Sequence, residues 1–154
     1  FFFKQKTAYE IPKRDWSSDV CSSDLKLVTF AFAGVEPEIM GYGPVPSTLK
    51  ALELAGLSIE DIGLFEINEA FAIQVLSFLD YFGIADDDPR VNIYGGAIAV
   101  GHPLASSGIR LMLNLAEGFK EHPEVRYGIT TMCIGLGMGG TVIWENPHYN
   151  GKAA

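Results

Sequence analysis

Residues 63–83 read GLFEINEAFAIQVLSFLDYFG, and the period of the pattern changes partway through. Gly63–Ile67 (GLFEI) is a short apolar run of the kind that forms a buried strand. From there Phe71, Val75, Phe78, Leu79 and Phe82 recur at helical spacing, and Ala72, Ile73 and Leu76 make the segment apolar nearly all round. This predicts a helix buried on more than one side. Asn68 is its expected N-cap, Glu69 suits the positive end of the helix dipole, and Gly83 ends it. A strand running straight into such a helix is the building unit of an α/β fold.

The flanking segments continue the alternation. Lys26–Val35 (KLVTFAFAGV) reads as a buried strand, followed by a loop crowded with Gly and Pro. Pro46 can open a helix carrying Leu49, Leu52 and Ala55, with Gly56 at its end. Ser58–Asp61 looks like a short capped turn. Beyond the ADDDPR loop, Val91–Ile93 is expected as a short strand, and Gly95–Leu104 as an apolar, Gly-rich loop. Ser106 or Ser107 can cap a helix running to about Lys120. Arg126–Cys133 reads as a strand, Ile134–Gly140 as a tight turn, and Thr141–Glu145 as a last strand stopped at Asn146-Pro147. The order predicts a mixed, mostly parallel five-stranded sheet with helices on both faces and an antiparallel final pair.

Composition bounds the function. The chain has 154 residues, 48% hydrophobic and 19% charged, which suits one folded domain and excludes a disordered chain. Its net charge of −8 argues against binding nucleic acid or an anionic membrane surface, both of which need a basic face. Two cysteines, Cys21 and Cys133, make neither a disulfide scaffold nor a four-cysteine zinc site. No apolar run is long enough for a membrane span, and the expected setting is the reducing cytoplasm. Residues 1–25 balance their charges and show no sustained period. They resemble translated sequencing-adapter read-through joined to a truncated gene model; the alternative is a poorly ordered native arm. The domain is therefore taken as 26–154.

Three segments carry chemistry: Asn68-Glu69-Ala70-Phe71, Gly101-His102-Pro103 and Cys133-Ile134-Gly135-Leu136-Gly137. Each lies just after an expected strand or in the loop beyond one, and α/β sheets bind ligands beyond the carboxyl ends of their strands. A histidine and a cysteine near each other can share proton transfer in acyl or carbanion chemistry. The Gly-rich turn can offer backbone N–H groups to an oxyanion. Taken singly, each feature has an ordinary structural reading: a helix cap, a loop histidine, a small buried hydrophobe, a turn. Zinc lacks further ligands at suitable spacing, and GGAIAVG is not a nucleotide-binding loop.

Together the segments say more. NEAFA at 68–72, GGAIAVGHPLASSGIR at 95–110 and CIGLGMGG at 133–140, with MGYGPVPSTLKAL at 40–52, closely resemble the C-terminal half of the thiolases. The likeness runs over about residues 26–147 in family order and spacing. It implies a thiolase-like half and an acyltransferase of CoA thioesters. Such an enzyme cleaves 3-ketoacyl-CoA with CoA, as in fatty acid β-oxidation, or runs the reverse Claisen condensation. It implies that His102 activates a nucleophilic cysteine and helps bind the thioester oxygen. Cys133 moves a proton at the α-carbon of acetyl-CoA, Asn68 holds a water in an oxyanion hole, and the Gly135 N–H serves a second one. Gly101 and Phe71 then lie beside substrate. No cofactor or metal is implied, acyl-CoA and CoA are the ligands, and the intact protein is expected to be a homo-oligomer. The nucleophile belongs to an N-terminal half that the likeness does not cover, and Cys21 lies outside the likeness and is not assigned to it. The chain alone is thus expected to be inactive. Ala105-Ser106-Ser107 replaces the commoner Gly-Ala-Ser run. The rival readings are a non-catalytic thiolase-like interaction module or pseudo-enzyme, and a nucleotide-binding α/β domain.

Overall fold

Strand β1 (Lys26–Gly34) pairs antiparallel with β4 (Met138–Glu145), β4 pairs antiparallel with β3 (Tyr127–Ile134), and β3 pairs parallel with β2 (Ile62–Ile67). The structure is a computed structural model that describes residues 24–151. Cys21 and nearly all of the expected N-terminal segment lie outside the described residues. Leu25, set on the far side of the expected boundary, is buried against Leu115, Ala116 and Phe119.

The sheet is mixed, as expected, but its order β1-β4-β3-β2 corrects two details. Among the described residues it has four strands rather than five, and one parallel pair of strands rather than a parallel majority. The tight turn after β3 returns the chain as β4 beside it, and β1 then takes β4's other edge, so only the long crossover from β2 to β3 yields a parallel pair.

The missing strand has a specific cause. Residue 91 does approach β2: Phe65 and Val91 form an isolated parallel bridge, with Phe65 N–H donating to Arg90 O and Asn92 N–H to Phe65 O. At Asn92 the backbone turns left-handed, with φ of 47°, and extension stops. The Asn92 side chain then makes the next two ladder bonds itself. Its Oδ1 accepts from Ile67 N–H at 2.8 Å and its Nδ2 donates to Ile67 O at 3.0 Å. A side-chain amide stands where a strand would continue.

Helices cover both faces. Helix α1 (Pro44–Ala55) and α2 (Ala72–Phe82) lie on one, where Val45, Leu52, Phe65, Ile67, Phe78, Leu79, Ile129 and Ile143 form the larger core. The long helix α4 (Leu104–Glu121) lies on the other, where Leu64, Leu115, Ala116 and Phe119 form a second cluster. A short turn of helix, α3 (Ala97–Val100), precedes it. Pro44, not Pro46, opens α1. Ser58 and Asp61 form the expected capped turn. Ser106 and Ser107 sit inside the first turn of α4 rather than capping it, and their hydroxyls donate back to Pro103 O.

Two devices join α1 to the sheet. Thr141 Oγ1 lies 2.8 Å from Ser47 Oγ, 2.9 Å from Thr48 Oγ1 and 2.7 Å from Thr131 Oγ1, a fully buried hydroxyl cluster. Beside it the backbones of Gly139 and Gly43 meet so closely that a Cβ at 139 would overlap the Gly43 carbonyl. Gly139 of the CIGLGMGG run therefore has a packing task. Helix α4 leaves part of its face of the sheet bare, and an apolar trough runs between Ile109 and Met112 of α4 and Phe32, Val142 and Trp144 of the sheet.

Asn92→Ala removes both ladder bonds and puts alanine at positive φ. Its expected cost is about 3 kcal/mol of unfolding free energy, measured by urea denaturation. A loss under about 0.5 kcal/mol, the size of an ordinary surface change, would show that the amide does not hold the end of β2.

Candidate active site

The site is built where β2 and β3 end side by side. Asn68 N–H donates to Thr131 O at 2.9 Å, extending the parallel ladder by one step beyond Ile67, and Cys133 lies two residues further along β3 from Thr131. Asn68 is not the cap of α2. That helix begins at Ala72 with Phe71 at the cap position, so the Asn68 side chain is free of the helix.

Asn68 is 3% exposed. Its Nδ2 lies 3.4 Å from His102 Nε2, and its Oδ1 is buried with no hydrogen-bond partner among the described residues. On the other side of the ring, His102 Nδ1 lies 2.6 Å from Ser107 Oγ, and the buried Ser107 hydroxyl donates to Pro103 O. A hydroxyl that gives its one hydrogen to Pro103 receives the hydrogen of Nδ1. This network assigns the Nδ1–H tautomer and leaves the Nε2 lone pair facing Asn68, where it can accept a proton.

The loop that carries His102 is held at two points. Glu69 accepts from Ile98 N–H at 3.0 Å and from Asn92 Nδ2 at 2.8 Å, and a side chain at Gly96 would overlap the Glu69 carboxylate. Arg110 Nη1 donates to Gly101 O at 2.7 Å. Gly101 itself has φ of 91°, with no atom near where its Cβ would stand.

Cys133 belongs to the same end of the sheet but keeps different company. Gln74 Nε2 donates to its Sγ at 3.2 Å, and Sγ can donate to Gln74 Oε1 at 3.4 Å. The structure thus brings Asn68 and His102 together, while the hydrogen bonds of Cys133 go to Gln74. Gly135 opens the turn that follows, where a side chain would meet empty space. Phe71 is 59% exposed and Leu104, just after Pro103, 83% exposed, so apolar side chains stand in solvent around the site.

Four residues of the arrangement were not assigned from sequence. Ser107 was read as a cap, and Asn92 as part of a strand. Gln74 had a legible signal, a polar residue on a largely apolar helix, although α2 is not buried on more than one side as expected: Ile73 is 67% and Leu76 42% exposed. Glu66 had none. It is 2% exposed on the α4 side of β2 and takes a hydrogen bond from Asn114 Nδ2 at 3.1 Å. Burial pushes its carboxyl up to about 7, with Glu69 adding to the rise; the Asn114 bond and the Arg110 charge act against it. Among the described residues there is no group of three potential metal ligands, and no helix is long and apolar enough to cross a membrane.

Residues 22–146 match the family model described as "Thiolase, C-terminal domain". The chain is 52% identical over 121 residues to the 3-ketoacyl-CoA thiolase of Photobacterium profundum, covering 78% of this chain and 31% of that protein. It is 50% identical over 121 residues to that of Bacillus subtilis, covering 79% of this chain and 30% of the relative. The crystal structure of human mitochondrial 3-ketoacyl-CoA thiolase superimposes with a TM-score of 0.75 at 40% identity, over 80% of this chain and 30% of that one. The chain therefore spans about 30% of the length of these relatives.

The Glu66 carboxyl predicts a pH dependence of stability. Its folded value, about 7, lies above its ordinary 4.5, so the folded state holds the proton more tightly than the unfolded one. Its favourable contribution is complete below the ordinary value and is lost as pH rises to about 7. Glu66→Gln, which cannot ionise, is expected to match the parent near pH 4.5 and to exceed it by up to about 3 kcal/mol at pH 8. Denaturation of both proteins at the two pH values checks this; equal stability at pH 8 would refute it.

Proposed function

The chain belongs to the thiolase family, as its C-terminal domain, and from that premise we propose that it supplies the acid–base half of a CoA-thioester acyltransferase. The reaction is cleavage of a 3-ketoacyl-CoA by CoA, as the names of the relatives indicate, or its reverse, the Claisen condensation of acetyl-CoA. The observation that carries the reading is the chain Ser107–His102–Asn68, which points an unprotonated Nε2 at a buried amide.

In this reading the acyl group is carried by a nucleophilic thiol from the part of the relatives that the chain does not match. His102 Nε2 takes the proton of that thiol, and Ser107 holds the ring in the tautomer that can do so. Cys133 takes or returns the proton at the α-carbon of the acetyl unit. The buried Asn68 amide holds a water that stabilises the thioester oxygen as it gains charge, and the Gly135 N–H does the same at the other carbonyl. Gly101 and Phe71 border the substrate. The bare trough along α4 and the exposed Leu104 form the face on which the remaining half packs, which accounts for apolar surface of this extent. The setting proposed is fatty acid β-oxidation in the cytoplasm, in a homo-oligomer, with no cofactor.

The chain alone is expected to show no turnover of acetoacetyl-CoA with CoA, because no acyl-enzyme can form without the nucleophile. Adding a separately produced N-terminal half from a relative should restore thiolysis. In that mixture His102→Ala should lower kcat by about a thousandfold or more, and Ser107→Ala by about tenfold through loss of ring orientation. Turnover by the chain alone, with Cys21 acylated, would overturn the division of labour. A folded, fully associated mixture without activity would favour the pseudo-enzyme.

A further inference from the structure

Helix α2 buries three side chains, Gln74, Phe78 and Leu79, and only the first is polar. Gln74 is 6% exposed. Burying an amide is unfavourable unless its groups are bonded, so its position calls for a physical reason.

Part of the reason is local. Gln74 Oε1 accepts from Phe71 N–H at 3.2 Å, satisfying one of the free donors at the start of the helix. This bond also fixes which way the amide faces, since only the oxygen can accept from an N–H. Nε2 is then left pointing at Cys133 Sγ, 3.2 Å away. Gly41 closes the third side: a Cβ there would stand 2.6 Å from Gln74 Cγ and 2.9 Å from Nε2. A glutamate at this helix position would satisfy Phe71 equally and would suit the helix dipole better. What a glutamate cannot do is donate to sulfur.

We propose that Gln74 is a positioning residue for Cys133, one amide that serves the sulfur in both of its protonation states. When Cys133 is a thiol, S–H donates to Oε1, 3.4 Å away. When it is a thiolate, Nε2–H donates to the sulfur. A group that gives up and regains a proton within one turnover then needs no rearrangement of its neighbour between the two states. The inference deepens the reading of Cys133 as the residue that moves the α-proton, but its test needs no turnover.

The test is the rate at which iodoacetamide alkylates Cys133 in the intact chain, followed by mass spectrometry of the peptide that carries it, so that Cys21 is counted separately. Thiolate is the reacting form. In Gln74→Met, which keeps the bulk and loses both bonds, alkylation near neutral pH should slow by about tenfold, the effect of losing one hydrogen bond to a charged group. Gln74→Glu should slow it at least as much, since it places a carboxylate beside the sulfur. In both, the gap to the parent should close at high pH, where thiolate forms with or without a donor. Gly41→Ala, which pushes the amide aside without changing it, should slow the reaction by a smaller factor and decides the matter if the Gln74 variants do not fold. Rates within twofold of the parent in the folded variants, or a slowing that is equal at every pH, would overturn the proposal. Because thiolysis with the added half is read separately, loss of the Gln74–Cys133 coupling and failure of the acyltransfer reading give different results.

Discussion

The Asn92 side chain ends the sheet and begins the site. Its amide fills the last two ladder positions beside β2 and its Nδ2 also reaches Glu69 Oε1. A peptide group in its place would have carried the sheet on by another strand. The amide instead turns the chain away, at a left-handed backbone that asparagine tolerates better than most residues. Everything after it follows from that turn. The Gly95–Gly101 segment is held by Glu69 across the end of β2 rather than running alongside it, and His102 arrives over Asn68. Sheet termination and site placement are thus one event.

The second constraint is closeness of backbone at the start of β4 and the turn before it. Gly139 against Gly43, and Gly137 against Val35, leave no room for a Cβ. The start of helix α1 can approach β4 only because Gly139 and Gly43 are bare, and the Thr141 hydroxyl cluster then forms across the gap. Alternation along β3 turns Ile129, Thr131 and Cys133 toward the α1 and α2 side. The register that places Thr131 beside Thr141 therefore also places Cys133 beneath Gln74.

How much of this was legible in sequence depends on what kind of signal each element left. Long apolar periods did well: α4, α2 and the strands at 26–34, 62–67 and 127–134 are close to where the pattern put them, although β1 is largely exposed rather than buried and β4 begins at Met138, three residues before the expected Thr141. Asn68 and Cys133 reach the expected end of the sheet because they lie along β2 and β3, whereas His102 meets Asn68 there although no strand directly precedes it. The errors were local and share a cause. Val91–Ile93 looked like a strand because two β-branched residues flank Asn92, and no pattern shows that a side chain will replace a peptide. Asn68 looked like a cap because asparagine before an apolar helix usually is one; the helix starts later because the Gln74 side chain caps Phe71 from within. Ser107 looked like a cap for the same reason, and its contact with His102 crosses five residues of loop and helix start. Strand order was beyond reach, because β1 joins β4 from more than a hundred residues away in sequence.

His102 and Cys133 are held in contrasting ways, and the contrast bears on the proposed chemistry. His102 is fixed through Nδ1 by a hydroxyl, which leaves one face of the ring committed and Nε2 available. Cys133 is fixed by an amide that can both give and take a hydrogen, which commits it to neither protonation state. In the proposed reaction, a base that activates another group's thiol needs a fixed tautomer more than it needs versatility, and a residue that removes a proton from carbon and later returns one needs a neighbour that tolerates both of its forms. Beside His102, Asn68 presents an oxygen with no partner among the described residues, buried where a water or a substrate group could satisfy it. In the proposed reaction that oxygen keeps its hydrogen-bonding capacity for the reacting groups, while His102 and Cys133 are already oriented by bonds within the fold.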